Sequence, residues 1–152
     1  MEFLVPIVAF LGLFIGKLIG WMSSDEIKPG LPYFFAAKRF ILFGIFALLI
    51  FDHKINFMLG LFLLLGLIIG GMYKLTYLFL GFSILLSLNQ WQLLPVASLT
   101  FIYNLIYGTL EKSFIKEILL FFIPFILLIF NFNQEMLTAF ISGALLMSII
   151  FS

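Results

Sequence analysis

Cysteine is missing from this chain of 152 residues. Its absence excludes disulfides, thiolate metal sites and thiol nucleophiles. Histidine is nearly missing, since His53 stands alone. One imidazole cannot supply bis-histidine haem ligation or a histidine-rich metal site. Charge is scarce as well: 10% of the residues are Asp, Glu, Lys or Arg, against about 25% in a soluble domain. With a net charge of +1 and no basic face outside its loops, the chain is not expected to bind nucleic acid. No phosphate-binding glycine loop and no G-x-S-x-G nucleophile elbow occurs. No apolar segment carries an acid at its middle, which argues against a proton-driven pump, because buried carboxylates carry that coupling. No catalytic residue, metal or cofactor is expected from these residues.

What the chain has in excess is hydrocarbon. Hydrophobic residues make up 64% of it, with 22 phenylalanines, and the mean hydropathy is +1.29. A soluble domain of this length has no interior large enough for that much apolar surface. The fold expected is an all-α integral membrane protein, a bundle of about seven short transmembrane helices forming one domain over residues 1–152. The apolar runs are 2–22, 37–51, 57–71, 75–88, 93–110, 118–130 and 136–151. At 13–21 residues most are short against the ~20 needed for a 30 Å hydrocarbon core. Nothing at the N-terminus resembles a cleaved signal peptide, which needs a basic start and small residues at the cut. The alternative to seven crossings is a re-entrant or single passage of 57–88, giving six.

The stretch 23–39, SSDEIKPGLPYFFAAKR, separates the first two runs and holds three of the eight bases. Pro29, Gly30 and Pro32 predict that no helix runs through it. With seven crossings, Lys28, Lys38, Arg39, Lys74, Lys112 and Lys116 share one side and Lys54 lies opposite. With six, the bases divide evenly. The positive-inside rule selects seven, with the N-terminus outside and the C-terminus in the cytoplasm. The expected location is the cell membrane, multi-pass.

Two short matches suggest an internal repeat. Residues 14–19 read FIGKLI and 101–106 read FIYNLI; 46–52 read FALLIFD and 125–131 read FILLIFN. The halves would be 3–71 and 93–151, joined by helix 75–88 in a parallel 3+1+3 arrangement. In architecture alone this is similar to the SWEET and PQ-loop carriers of sugars and amino acids. Neither Pro6 nor Pro95 is followed by the glutamine of a PQ dipeptide.

Chemistry has few places to sit. Lys17 of the first run, with Ser98, Thr100 and Asn104 of the fifth, which also holds Thr109, are candidates for a polar path or for helix contacts. Gly12, Gly16 and Gly20 form a small-residue stripe for close helix approach. Asp52, His53 and Lys54 form a candidate cluster at the outer face. The first functional expectation is a small carrier or permease for a neutral or weakly polar solute. The second is a non-catalytic subunit or assembly factor of a larger membrane complex, and the third an intramembrane enzyme acting on lipid. The partners expected are the lipid bilayer, with a second copy or a membrane-complex partner beside it.

The absence of cysteine makes topology directly measurable. In intact cells Ser24→Cys and Ser113→Cys are expected to resist an impermeant thiol reagent, and Asn133→Cys to react. Labelling at one of the two serine positions but not the other requires an odd number of crossings between them and removes the seven-span reading.

Overall fold

The computed structural model describes residues 4–51, 57–72, 75–88, 90–110, 115–126 and 133–151 (backbone only for 24–26 and 151). Among them are seven α-helices and no strand: α1 (Leu4–Met22), α2 (Ser24–Ile50), α3 (Phe57–Met72), α4 (Thr76–Ser87), α5 (Leu93–Leu110), α6 (Ile115–Ile126) and α7 (Gln134–Phe151). By length and composition three stretches are long and apolar enough to cross a membrane: Leu4–Met22, Ile27–Ile50 and Leu93–Leu110. The helices Phe57–Met72 and Thr76–Ser87 and the stretch Gln134–Ile150 are apolar but shorter.

Helix α2 corrects the expectation of a loop. Pro29 and Pro32 lie inside one continuous helix of 27 residues, and only Ser23 separates it from α1. An interior proline costs ~3 kcal/mol, through its missing N–H and its clash with the carbonyl four residues earlier. Here Lys28, Pro29, Pro32 and Tyr33 are all exposed, so the prolines lie on a face of α2 that is not packed into the bundle. The amide of Ser23 still donates to the Ile19 carbonyl at 2.9 Å, and that of Ile27 to Ser23 at 3.3 Å. Helical hydrogen bonding therefore passes almost unbroken from α1 into α2. At 1.5 Å per residue α2 is ~40 Å long, ~10 Å more than a hydrocarbon core.

The bundle is held by two helix pairs, α1 with α5 and α3 with α7. Both are seamed by glycine. A Cβ on Gly12, Gly16 or Gly20 would strike the backbone of Phe101, Leu105 or Thr109 in turn. The numbers rise together on both helices, so α1 and α5 run parallel. Gly66 meets Phe140 and Gly70 meets Ala144, so α3 and α7 are parallel too. The second helix of each pair contributes a glycine of its own. Gly108 lies against Leu13, and Gly143 against Leu63. The register is the same in both pairs: Gly16 faces Leu105 while Gly108, three residues on, faces Leu13; Gly66 faces Phe140 while Gly143, three residues on, faces Leu63.

Helix α4 fills the middle. Tyr77, Phe79, Leu80, Gly81, Ser83, Ile84, Leu86 and Ser87 are all buried along its 12 residues. It packs against α6, α7 and α5. Gly81 admits the Phe121 backbone and the Pro124 ring of α6. Phe10 of α1 closes that side, with ring centroids 5.0 Å from Phe121 and 5.3 Å from Phe122. Helix α2 seats Ile41, Leu42, Ile45 and Leu49 in the core and packs on α5 and α7. The outward side chains of α1, α2 and α3 are large and apolar, among them Leu18, Phe40, Phe43, Leu64 and Ile68.

The glycine seams generate a stability prediction. Gly16→Ala and Gly66→Ala each force a methyl group into a facing carbonyl and are expected to destabilise by ~1–3 kcal/mol, the range for overpacking. At Gly60 nothing lies within 4 Å of an added Cβ. Gly60→Ala is expected to be neutral or slightly stabilising. Thermal unfolding in detergent, followed by helical circular dichroism, measures all three.

Candidate functional site

The one buried charged side chain among the described residues is Lys38 of α2, at 7% exposure. It sits one residue before the exposed Arg39. Successive helical side chains point about 100° apart, so one base can face the bundle while its neighbour faces out. The ammonium lies 5.4 Å from the ring centre of Phe35, 5.8 Å from that of Tyr103 and 5.3 Å from that of Tyr107. Each is within cation–π range. Phe35 belongs to the same helix, one turn earlier. Tyr103 and Tyr107 stand one turn apart on α5 and so present one face.

The rings are themselves braced. Tyr103 and Tyr107 stack at 6.3 Å with planes 21° apart. Tyr77, at the start of α4, meets Tyr107 edge-on at 5.0 Å and Tyr103 at 6.1 Å. The Tyr107 hydroxyl donates to Glu117 Oε1 of α6 at 3.1 Å. Four helices thus converge on one cluster of a cation, a carboxylate and four aromatic rings. Tyr77 and Glu117 lie near helix starts and Tyr107 near a helix end, which places the cluster at one end of the bundle.

The residues singled out as a polar path are not brought together as one. Asn104 is fully buried and donates from Nδ2 to the Ala9 carbonyl at 2.9 Å. It ties α5 to α1 eight residues before Lys17, ~12 Å along the helix. Its Oδ1 has no hydrogen-bond partner among the described residues. Thr100 is buried and bonds the Val96 carbonyl of its own helix at 2.8 Å. Lys17 is half-buried, with its backbone against Gly108. Ser98 is exposed and lines a groove of about 440 Å³ between the N-terminal ends of α1 and α5. That groove is walled by Leu4, Val8, Leu94 and Phe101. A second, of about 290 Å³, opens between α3 and α7 beside Phe62, Met136 and Phe140. Both lie on the N-terminal side of the glycine seams and reach Phe101 and Phe140, which face Gly12 and Gly66. The outer-face cluster Asp52, His53 and Lys54 lies outside the described residues.

Most other buried hydroxyls are also committed to their own helices. Ser83 and Ser87 of α4 bond the carbonyls of Phe79 and Ser83, each at 2.7 Å. Ser142 and Ser148 of α7 do the same to Thr138 at 2.7 Å and Ala144 at 3.0 Å. Such bonds let a polar side chain sit in an apolar bundle without a partner helix. Among the described residues no three His, Asp or Glu side chains converge as a metal site would require.

No family model, no curated protein and no solved structure matches the chain.

Reading the sequence by charge placed Lys38 and Arg39 together as loop residues and missed the cluster. A usable signal was present: Phe35 with Lys38 at helical spacing three, and Tyr103 with Tyr107 at spacing four. The two polar elements are expected to differ in weight. Lys38→Met removes a desolvated cation from its rings and costs ~2 kcal/mol. Asn104→Leu removes one interhelical bond, worth ~0.6 kcal/mol on average in membranes. Unfolding of the two variants in the same detergent gives the ordering directly.

Proposed function

We propose that the chain is a multi-pass membrane protein of seven spans, N-terminus outside, acting as a small carrier or permease for a small polar solute. The direction of the paired helices supports the topology. Parallel α1 and α5 need an odd number of crossings between them, and so do α3 and α7. A single passage of 57–88 leaves two crossings between α1 and α5 and would turn them antiparallel. Seven spans also place Lys38, Tyr77, Tyr107 and Glu117 together at the cytoplasmic end, where the positive-inside rule puts the bases.

The carrier reading rests on one observation, the buried Lys38. A charge at the centre of a membrane helix costs ~2.5–3.5 kcal/mol on insertion scales and less toward an end such as this one, and an ionisable residue facing the interior of a bundle is by default a candidate for a solute or ion path. Here the charge touches α2 and α5 directly and reaches α4 and α6 through tyrosine rings and Glu117, so its movement would be felt by four helices. A second reading, a non-catalytic subunit of a membrane complex, is favoured by the buried hydroxyls, which are bonded to their own helices and line no path. A parallel duplication of 3–71 and 93–151 around helix 75–88 fits the parallel α1/α5 and α3/α7 directions. Both pairs touch at backbone distance, so one two-fold axis cannot run between both, and the halves of such a repeat would be related otherwise. The second matched segment pair, 46–52 with 125–131, extends outside the described residues.

Proteoliposomes test the choice. Wild-type protein is expected to take up at least one member of a panel of labelled neutral, zwitterionic and amine solutes. Lys38→Met is expected to lower that uptake at least tenfold while still folding. Absence of uptake by folded protein in a known orientation, together with a membrane protein co-purifying at fixed stoichiometry, would transfer the case to the subunit reading.

A further inference from the structure

We propose that Phe35, Tyr103, Tyr107 and Glu117 form a binding site for an organic ammonium ion, and that Lys38 is its built-in occupant. The site has the parts such a cation needs. Three ring centres lie 5.3–5.8 Å from one point, the Lys38 ammonium. Stacking of Tyr103 on Tyr107 and the edge contacts of Tyr77 hold the rings in place whether or not a cation is present. The Tyr107–Glu117 bond sets a carboxylate at the hydroxyl edge of the Tyr107 ring and supplies the opposite charge. Aromatic faces attract cations by their quadrupole and discriminate against neutral molecules of the same shape. Phe35 is 42% exposed, so one wall of the site faces the surroundings and gives a way in.

Lysine suits the part of a removable occupant. Its ammonium rides on a flexible four-carbon stem and can withdraw, where a planar guanidinium would be fixed by its geometry. Lys38 begins two turns after Pro29 and Pro32, on a stretch of α2 that carries two missing backbone donors. A cargo ammonium entering the cage would displace Lys38 from the junction of α2 with α5 and loosen the contact that closes this end. The inference deepens the carrier reading and rests on it only for the cargo. The binding itself is measured without transport.

The test is chemical rescue of the vacated site in the full chain. n-Butylammonium reproduces the lysine side chain beyond Cα, and n-butanol is its neutral counterpart. Lys38→Ala is expected to melt below wild type, and millimolar n-butylammonium to restore at least half of the lost melting temperature. n-Butanol, or sodium chloride at equal ionic strength, is expected to restore none. Binding of n-butylammonium to Lys38→Ala should exceed that of n-butanol by at least tenfold, about 1.4 kcal/mol. Lys38→Met, whose side chain fills the cage without charge, should not respond, and adding Glu117→Gln to Lys38→Ala should weaken the rescue. Wild-type protein provides a reading that needs no variant to fold. Saturating tetramethylammonium should raise acetylation of Lys38 at least threefold relative to Lys116. Equal effects of n-butylammonium and n-butanol on folded Lys38→Ala overturn the proposal; so does unchanged Lys38 acetylation if that variant does not fold. Rescue without uptake of any amine in proteoliposomes would keep the ammonium site and remove the carrier reading.

Discussion

Backbone-to-backbone approach at glycine is the constraint on which the bundle depends. A helix in hydrocarbon gains nothing by hiding apolar side chains from lipid, which is equally apolar. It gains by dense contact and by bonds that lipid cannot offer. Gly12, Gly16, Gly20 and Gly108 in one pair, and Gly66, Gly70 and Gly143 in the other, remove the side chains that would hold the axes apart. Once α1/α5 and α3/α7 are fixed as parallel units, the remaining helices have restricted places. Helix α4 lies between them with most of its circumference buried, and α2 and α6 close the sides.

The buried hydroxyls and the Lys38 cluster obey different physics. Hydroxyls on α4, α5 and α7 turn back on their own helices, which removes their desolvation cost locally and leaves them inert toward neighbours. The Lys38 cluster does the reverse. The Lys38 ammonium, buried in an apolar bundle, meets rings from two helices, and those rings bring in a third and a fourth. That difference separates polar residues that are merely accommodated from one whose placement constrains tertiary structure.

The apolar runs located six of the seven helices closely, because in this chain the helix ends coincide with the few charged or polar turns. The glycine spacing of α1 announced close approach, though not which helix would approach. Helix α2 was misjudged because proline was weighed as a terminator without asking whether it could lie on a face that is not packed into the bundle. Pro29 and Pro32 lie on such a face. The site was misjudged for a related reason. Charge was averaged over the stretch 23–39, whereas Lys38 and Arg39 point about 100° apart on a helix, one buried and the other exposed. Thr100 and Asn104 were singled out as polar residues inside an apolar run, but sequence carries no sign of whether such a side chain bonds a solute, its own backbone or a neighbouring helix.

The two parallel pairs have one further property. Each carries an apolar groove on the N-terminal side of its glycines, one against Leu4, Val8, Leu94 and Phe101 and the other against Phe62, Met136 and Phe140. In the proposed orientation all four helix starts point to the same leaflet. Acyl chains of that single leaflet would therefore be the ones to fill both grooves, and their length and unsaturation would matter to the protein more than those of the opposite leaflet.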